Sequence, residues 1–237
     1  MKIAYVSFEY PPESAFGGIG TYVYQASRLM MAMGHRVEIF SSSPTSNSSE
    51  NIDGMFVHRV LCTDRSQFPS DICDLFSSRH TSIKFDVMES PEYSGDGYQI
   101  NKKYPDLPIV VKLHTPSYFI HELNNCYITW RVKARYIIGG LLRGKLSKAF
   151  WKWKNKNEDI DYLLTVKADL VSTPSLSLGD IVSRKWGIER WKIKNVPYPF
   201  IPTKAFLEIS SDRSGSTVTF IGRLEVRKGI ISFLEAI

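Results

Sequence analysis

The stretch KIAYVSFEYPPESAFGGIGTYVYQASRLMMAMGHRVEIF, residues 2–40, decides the fold. Lys2 to Phe8 is a short apolar run that reads as a buried strand. Tyr10-Pro11-Pro12 then forces irregular backbone, and Gly17-Gly18-Ile19-Gly20 leads into a helical pattern. Tyr22, Ala26, Leu29, Met30 and Met33 recur at helical spacing as far as Gly34, a helix stop, and His35 to Phe40 reads as a second strand. Strand, glycine turn, helix and strand in this order make one unit of an α/β fold, because parallel strands need a crossover between them.

Working outward, the alternation continues. Ser43 to Asp53 reads as a Ser/Asn-rich loop, Met55 to Leu61 as a strand, Phe68 to Ser82 as a helix, Phe85 to Glu89 and Ile109 to His114 as strands. Tyr118 to Lys167 is mostly helical in pattern. Asp169 to Thr173 (strand), Ser175 to Lys185 (helix) and Trp191 to Val196 (strand) follow. The pattern predicts an α/β fold with a doubly wound, mainly parallel Rossmann-like sheet over residues 1–200. Prolines and serines from Pro197 onward mark a connection, set at 201–216, and Thr217 to Ile221 reads as the first strand of a second domain that runs to Ile237.

Lys and Arg outnumber Asp and Glu by 30 to 24, a net charge of +6, which suits anionic ligands without calling for nucleic acid. Cys62, Cys73 and Cys126 are widely spaced, with neither a disulfide framework nor metal-ligand spacing, so no metal is expected and a reducing cytoplasm fits. The N-terminal run reaches Glu9 too soon for a signal-peptide core, and no stretch has the roughly 20 apolar residues of a membrane span.

Several residues carry chemistry by position. Gly17, Gly18, Ile19 and Gly20 stand where free amides and a helix dipole receive a phosphate, with glycine allowing close approach or positive φ; a plain tight turn fits them as well. His114 ends the Ile109 strand at the carboxyl edge, where open α/β sheets bind ligands, and offers a hydrogen bond to a hydroxyl or stabilises charge. A strand-capping His is the structural alternative. Glu89, Glu92 and Tyr93 follow another strand to the same edge; the carboxylates suit acceptor hydroxyls, or orient His114, or cap a helix starting near Tyr93. Arg223 and Lys228 flank the strand-to-helix turn of the second domain and suit a diphosphate. His35, His58, His80 and His121 read as surface or packing residues.

Between Arg131 and Lys156 there are nine basic residues and no acidic one, with Trp130, Trp151 and Trp153 at the ends and Leu146 among the apolar positions inside. As one continuous helix, this run gathers Arg131, Arg135, Lys145, Lys148, Lys152 and Lys156 on one face, an arrangement suited to an anionic membrane surface as well as to plain solvation.

The opening strand, the Gly17 to Gly20 turn, Met33-Gly34-His35-Arg36-Val37, His114, Ala168-Asp169-Leu170-Val171-Ser172-Thr173-Pro174-Ser175 and Gly222-Arg223-Leu224 with Arg227-Lys228-Gly229 together resemble retaining glycosyltransferase family 4, of the two-domain GT-B fold. The resemblance implies transfer of a sugar from a nucleotide-sugar donor to a carbohydrate or lipid-linked acceptor hydroxyl, with retention at the anomeric carbon and without a metal. It implies donor-diphosphate contacts from Gly17, Gly18, Ile19, Gly20, Arg223 and Lys228, and His114 beside the transferred sugar. The family's pair of glutamates, separated by seven residues, lies beyond Ile237, which implies little or no transfer by residues 1–237 alone.

Three other readings compete. A glycogen or starch synthase type transferase shares the glycine turn and basic turn, but Phe16 stands where its Lys is expected. A dinucleotide oxidoreductase wants GxGxxG and an acidic residue after the second strand, where Ser41, Ser42 and Ser43 stand. A non-catalytic acceptor- or membrane-binding module is the third, and a cytoplasmic location, peripheral at the inner membrane face, is expected.

Overall fold

The computed structural model describes residues 1–14, 17–126, 128–145, 148–209, 215 and 217–237. Phe16, Leu146, Ser210, Ser211, Ser214 and Ser216, which enter the sequence reading, lie outside the described residues. The chain divides into two units: residues 1–116 with 155–201, and residues 117–154 with 202–237.

The first unit holds an eight-stranded sheet: β1 (Lys2–Val6), β2 (Arg36–Ser43), β3 (Ser48–Ile52), β4 (Met55–Leu61), β5 (Val87–Pro91), β6 (Ile109–Lys112), β7 (Leu170–Thr173) and β8 (Ile193–Asn195). Its order is β3-β4-β2-β1-β5-β6-β7-β8. All pairs are parallel except β3 with β4. Helices α1 (Gly18–Ala32), α2 (Phe68–Ile83), α3 (Tyr98–Lys103), α6 (Ile160–Lys167) and α7 (Leu176–Trp186) make the crossovers of this unit. The order reverses direction at β1, so the loops after β1 and β5 open a crevice at the carboxyl edge.

α1 buries Tyr22, Val23 and Ala26 against Ile3 and Tyr5 of β1 and against Val37, Ile39, Met55 and Val57 of the neighbouring strands. Each buried Val, Ile or Met among these contributes about 1.5–3 kcal/mol. Elsewhere in this unit Phe40, Phe76 and Phe85 pack with centroids 5.0–5.7 Å apart.

The expected loop Ser43 to Asp53 contains strand β3, which returns antiparallel on β4. Asp53 and Gly54 both have positive φ, 54° and 85°, and the Asn51 side chain accepts from the Gly54 amide, the signature of a tight hairpin turn. The residues of β3 are polar because an edge strand with an exposed face needs no apolar pattern. Smaller differences follow the same logic: β5 runs two residues later than read, and a 3₁₀ turn at Arg190–Lys192 leaves only Ile193–Asn195 as strand.

The second unit holds α4 (Ser117–Asn125), α5 (Trp130–Leu142), the short helix α8 (Lys204–Leu207) and α9 (Ile230–Ala236). The continuous basic helix of the sequence reading ends at Leu142. The amides of Arg143 and Lys145 both turn back to the Gly140 carbonyl, and Gly144 takes φ +62°. Lys145, Lys148, Lys152 and Lys156 therefore do not share a helix face with Arg131 and Arg135. Thr217 to Ile221 forms no strand either, because a strand exists through pairing and no partner strand occurs among the described residues of this unit.

Candidate active site

The first unit gathers Gly17, Gly18, Ile19, Gly20, Glu89, Glu92, Tyr93 and His114 along the carboxyl edge. Gly17 is the N-cap of α1 in extended backbone (φ −161°), and Gly18, Ile19 and Gly20 form the first helical turn rather than a loop ahead of it. None of these glycines takes positive φ, so the sequence argument from backbone freedom does not apply. Close approach does apply at Gly17, where a Cβ would lie 3.2 Å from Glu9 Oε2. That carboxylate accepts from the Gly20 amide at 3.4 Å, so the protein's own anion faces the helix N-terminus. Arg65 holds Glu9 in place: it pairs with Glu9 at 2.7 Å and with buried Asp96 at 3.0 Å, with its guanidinium 4.7 Å from the Tyr93 ring centroid.

His114 follows β6. Its main-chain amide donates to Glu92 Oε1 at 2.8 Å, which ties β6 to the loop after β5. The Tyr198 hydroxyl lies 3.0 Å from His114 Nδ1 and 3.3 Å from the Leu113 carbonyl, and its ring stacks on the imidazole at 5.4 Å. Tyr22 meets the other side of the imidazole edge-on at 5.3 Å. With Tyr198 donating across the shorter contact, the neutral imidazole carries its proton on Nε2. That nitrogen is shut away from solvent and has no hydrogen-bond partner among the described residues. Burial, then the charges of Lys112 and Arg65, hold His114 down at about 3, so it is uncharged at neutral pH.

The carboxyls are tuned the other way. Burial, with Asp161 nearby, pushes Glu92 up to about 8, and its Oε2 lacks a hydrogen-bond partner among the described residues. Burial raises Glu89 to about 7 against the Tyr22 hydroxyl, which donates to it at 2.6 Å, and against Lys112. Lys112 is itself buried, lowered by that burial, and lies 4.9 and 5.1 Å from the Tyr22 and Tyr198 ring centroids. It donates to Ser172 Oγ and the Val196 carbonyl. The edge thus presents a neutral imidazole N–H and a largely protonated carboxyl, both able to donate to a hydroxyl or phosphate oxygen.

Glu92 does not cap a helix: Tyr93–Gly95 is a 3₁₀ turn broken by Ser94 at φ 59°, and α3 begins only at Tyr98. The sequence reading missed Tyr22, Lys112, Tyr198, Arg65 and Glu9. The signal for Lys112 was a charge inside an apolar strand two residues before His114. Tyr198 was read into a connecting stretch, yet Ile201 is still anchored there, its amide donating to Gln25 at 3.0 Å. Arg223 and Lys228 belong to the second unit. There Arg223 pairs with Glu225 at 3.1 Å, and Lys228 closes a 3₁₀ turn at Val226–Lys228. Among the described residues, no group of three or more His, Cys, Asp or Glu side chains is arranged to hold a metal, and no helix is long and apolar enough to cross a membrane.

Among solved structures, the catalytic domain of starch synthase IV from Arabidopsis thaliana, bound to ADP and acarbose, is similar with a TM-score of 0.53 at 10% identity, over 83% of this chain and 51% of that one. UDP-GlcNAc 2-epimerase from Methanocaldococcus jannaschii gives 0.47 at 13% identity, over 83% and 45%. The chain thus spans about half the length of these structures. A comparison with curated protein sequences returned no match. The likeness to the starch synthase places the eight-stranded sheet in the Rossmann-like part of a GT-B fold. Glycosyltransferase Family 4 matches residues 16–200, and by that match this chain belongs to glycosyltransferase family 4.

Proposed function

We propose that these residues form the acceptor-side half of a nucleotide-sugar-dependent glycosyltransferase that retains configuration at the anomeric carbon. The observation that carries the reading is the buried Nε2 of His114 at the switch-point crevice, without a hydrogen-bond partner among the described residues. In this reading its N–H donates to a hydroxyl of the transferred sugar, while the α1 N-terminus stabilises the departing diphosphate by preorganised positive charge, without a metal. Glu89, Glu92 and Tyr93 hold the acceptor. Glu9 leaves the Gly20 amide when the diphosphate arrives.

The test is release of nucleoside diphosphate from a panel of UDP-, GDP- and ADP-hexoses by the complete gene product that carries these residues, with NMR assignment of the product anomer. Wild type turns over, and His114→Ala loses about a hundredfold in kcat. An inverted product would overturn retention; an unchanged His114→Ala would overturn the role of the imidazole.

The reading extends to a cytoplasmic enzyme resting on the inner membrane face. α5 has no buried residue, and Trp130, Leu141 and Leu142 are exposed on the same helix as Arg131, Lys133 and Arg135. Each Lys or Arg near an anionic surface contributes about 1 kcal/mol. Flotation with anionic vesicles is expected to carry the protein up and zwitterionic vesicles to leave it behind; equal, negligible flotation with both would end this part of the proposal.

A further inference from the structure

Within the second unit, α5 and the stretch 148–152 enclose a pocket of about 470 Å³. Tyr136 and Ile137 line it from α5 and Trp151 from the other side. Aromatic contacts hold the two sides together. The Tyr136 ring meets Phe150 and Trp151 edge-on, with centroids 5.1 and 5.4 Å away, and its hydroxyl donates to the Lys148 carbonyl at 3.3 Å.

Three lysines, Lys133, Lys145 and Lys152, belong to the same lining. They are 19 residues apart from first to last, and the left-handed turn at Gly144 that ends α5 is what brings them to one pocket. Lys133 Nζ stands 6.0 Å from the Trp151 ring centroid, and none of the three forms an ion pair among the described residues. Like charges gathered in one place repel one another, so the arrangement favours a counter-charge. The chain has no carboxylate from Arg131 to Lys156 to supply it.

The lining narrows what does. A lysine is a point charge with donors and no acceptor, and the Tyr136 hydroxyl already donates to the backbone. A sugar or a base, which needs directional acceptors as well as donors, finds none among these side chains. The remaining lining is aromatic and aliphatic, so the fitting ligand is anionic at one end and apolar along its body. Its surroundings suit a membrane surface: Trp130, Ile138 and Leu142 of α5 are 74, 56 and 83% exposed, a set of side chains that seats at the boundary of headgroups and acyl chains.

We propose that this pocket is a site for one anionic phospholipid, its phosphate held by Lys133, Lys145 and Lys152 and the first part of an acyl chain lying on Tyr136, Ile137 and Trp151; a lipid as the source of that chemistry rests on the membrane reading above. The test is ¹H–¹⁵N NMR of the chain with dihexanoylphosphatidylglycerol, dihexanoylphosphatidylcholine and inorganic phosphate, each below any micelle concentration. The phosphatidylglycerol is expected to shift the Ile137 and Lys145 amides and the Trp151 indole N–H saturably, with the other two far weaker. Lys145 and Lys152 are exposed, so the double variant Lys145→Gln/Lys152→Gln leaves the fold alone and is expected to weaken binding about tenfold or more. Ile137, 45% exposed, gives a second variant: Ile137→Glu sets a carboxylate among the lysines and is expected to abolish the shifts. Phosphatidylglycerol that leaves these signals unmoved, equal shifts from phosphatidylcholine or from phosphate, or shifts that persist in the double variant would overturn the proposal. Vesicle flotation is read separately: flotation without these shifts ends the pocket and leaves the membrane reading, whereas shifts without flotation end the membrane reading.

Discussion

The main-chain amide of His114 donates to the carboxyl oxygen Oε1 of Glu92 at 2.8 Å, so the end of one strand is held by a side chain from the loop after its neighbour. Glu92→Gln keeps an acceptor there and is expected to preserve the fold, whereas Glu92→Leu orphans a buried N–H and costs about 1–3 kcal/mol in urea unfolding. Glu92 also shapes the pH dependence. Its folded pKa is raised from 4.5 to about 8, so the native state holds a proton that the unfolded chain has lost. Its contribution is complete below pH 4.5 and falls away as pH climbs to about 8. Glu92→Gln is expected to flatten that decline.

Tyr198 fixes which imidazole nitrogen of His114 bears the proton. Tyr198→Phe removes the hydroxyl 3.0 Å from Nδ1. Long-range ¹H–¹⁵N spectra of the ring are expected to show the Nε2–H tautomer in the wild type and a mixture in the variant. The same tautomer mixture in both proteins would show that the phenol does not direct the proton.

Two glycine substitutions are expected to differ sharply. Gly17→Ala places a Cβ 3.2 Å from the end of the Glu9 side chain in backbone that alanine readily adopts. It is expected to cost less than about 1 kcal/mol and to move the Gly20 amide resonance as Glu9 shifts. Gly95→Ala combines φ +63° with a Cβ 2.5 Å from Ile160 Cγ1, and is expected to cost at least about 2 kcal/mol. Thermal or urea unfolding ranks the two.

Glu38 governs acid stability. Burial opposes its charge, but hydrogen bonds from His58 and Arg79, the Arg79 charge and a hydrogen bond from Arg36 outweigh this and take it from 4.5 to about 2. Its stabilising contribution is therefore complete above pH 4.5 and is lost as pH falls toward 2. Glu38→Gln is expected to lower stability at pH 6 and to narrow the gap from wild type at pH 2–3.

The parallel sheet was legible because its signals are local: apolar runs, the turn at Gly34 and the Ser175 cap, whose hydroxyl accepts from Leu178. β3 was hidden because an edge strand can be wholly polar, and its one clear mark, Asp53-Gly54, was absorbed into a loop. The stretch Thr217 to Ile221 had the composition of a strand but no partner strand among the described residues of its unit. At the site, His114 and Glu92 could be placed because strand ends fall on one edge. Tyr22, Arg65 and Tyr198 come from 92, 49 and 84 residues away along the chain from His114, and no local pattern announces such meetings. Lys112 shows the reverse: a buried charge in an apolar strand was visible, but its aromatic surroundings were not.

The hairpin of β3 on β4 also decides how this sheet meets other molecules of its own kind. A parallel sheet that ended on β4 would offer a row of open amides and carbonyls beside an apolar strand, a template for aggregation. Instead the outermost strand carries exposed Ser49, Glu50 and Asn51, and the opposite rim is a strand of three residues, Ile193–Asn195, with Lys194 exposed and Pro197 just beyond. Charge, brevity and proline guard both rims, so the sheet resists growing by adding strands from neighbouring copies.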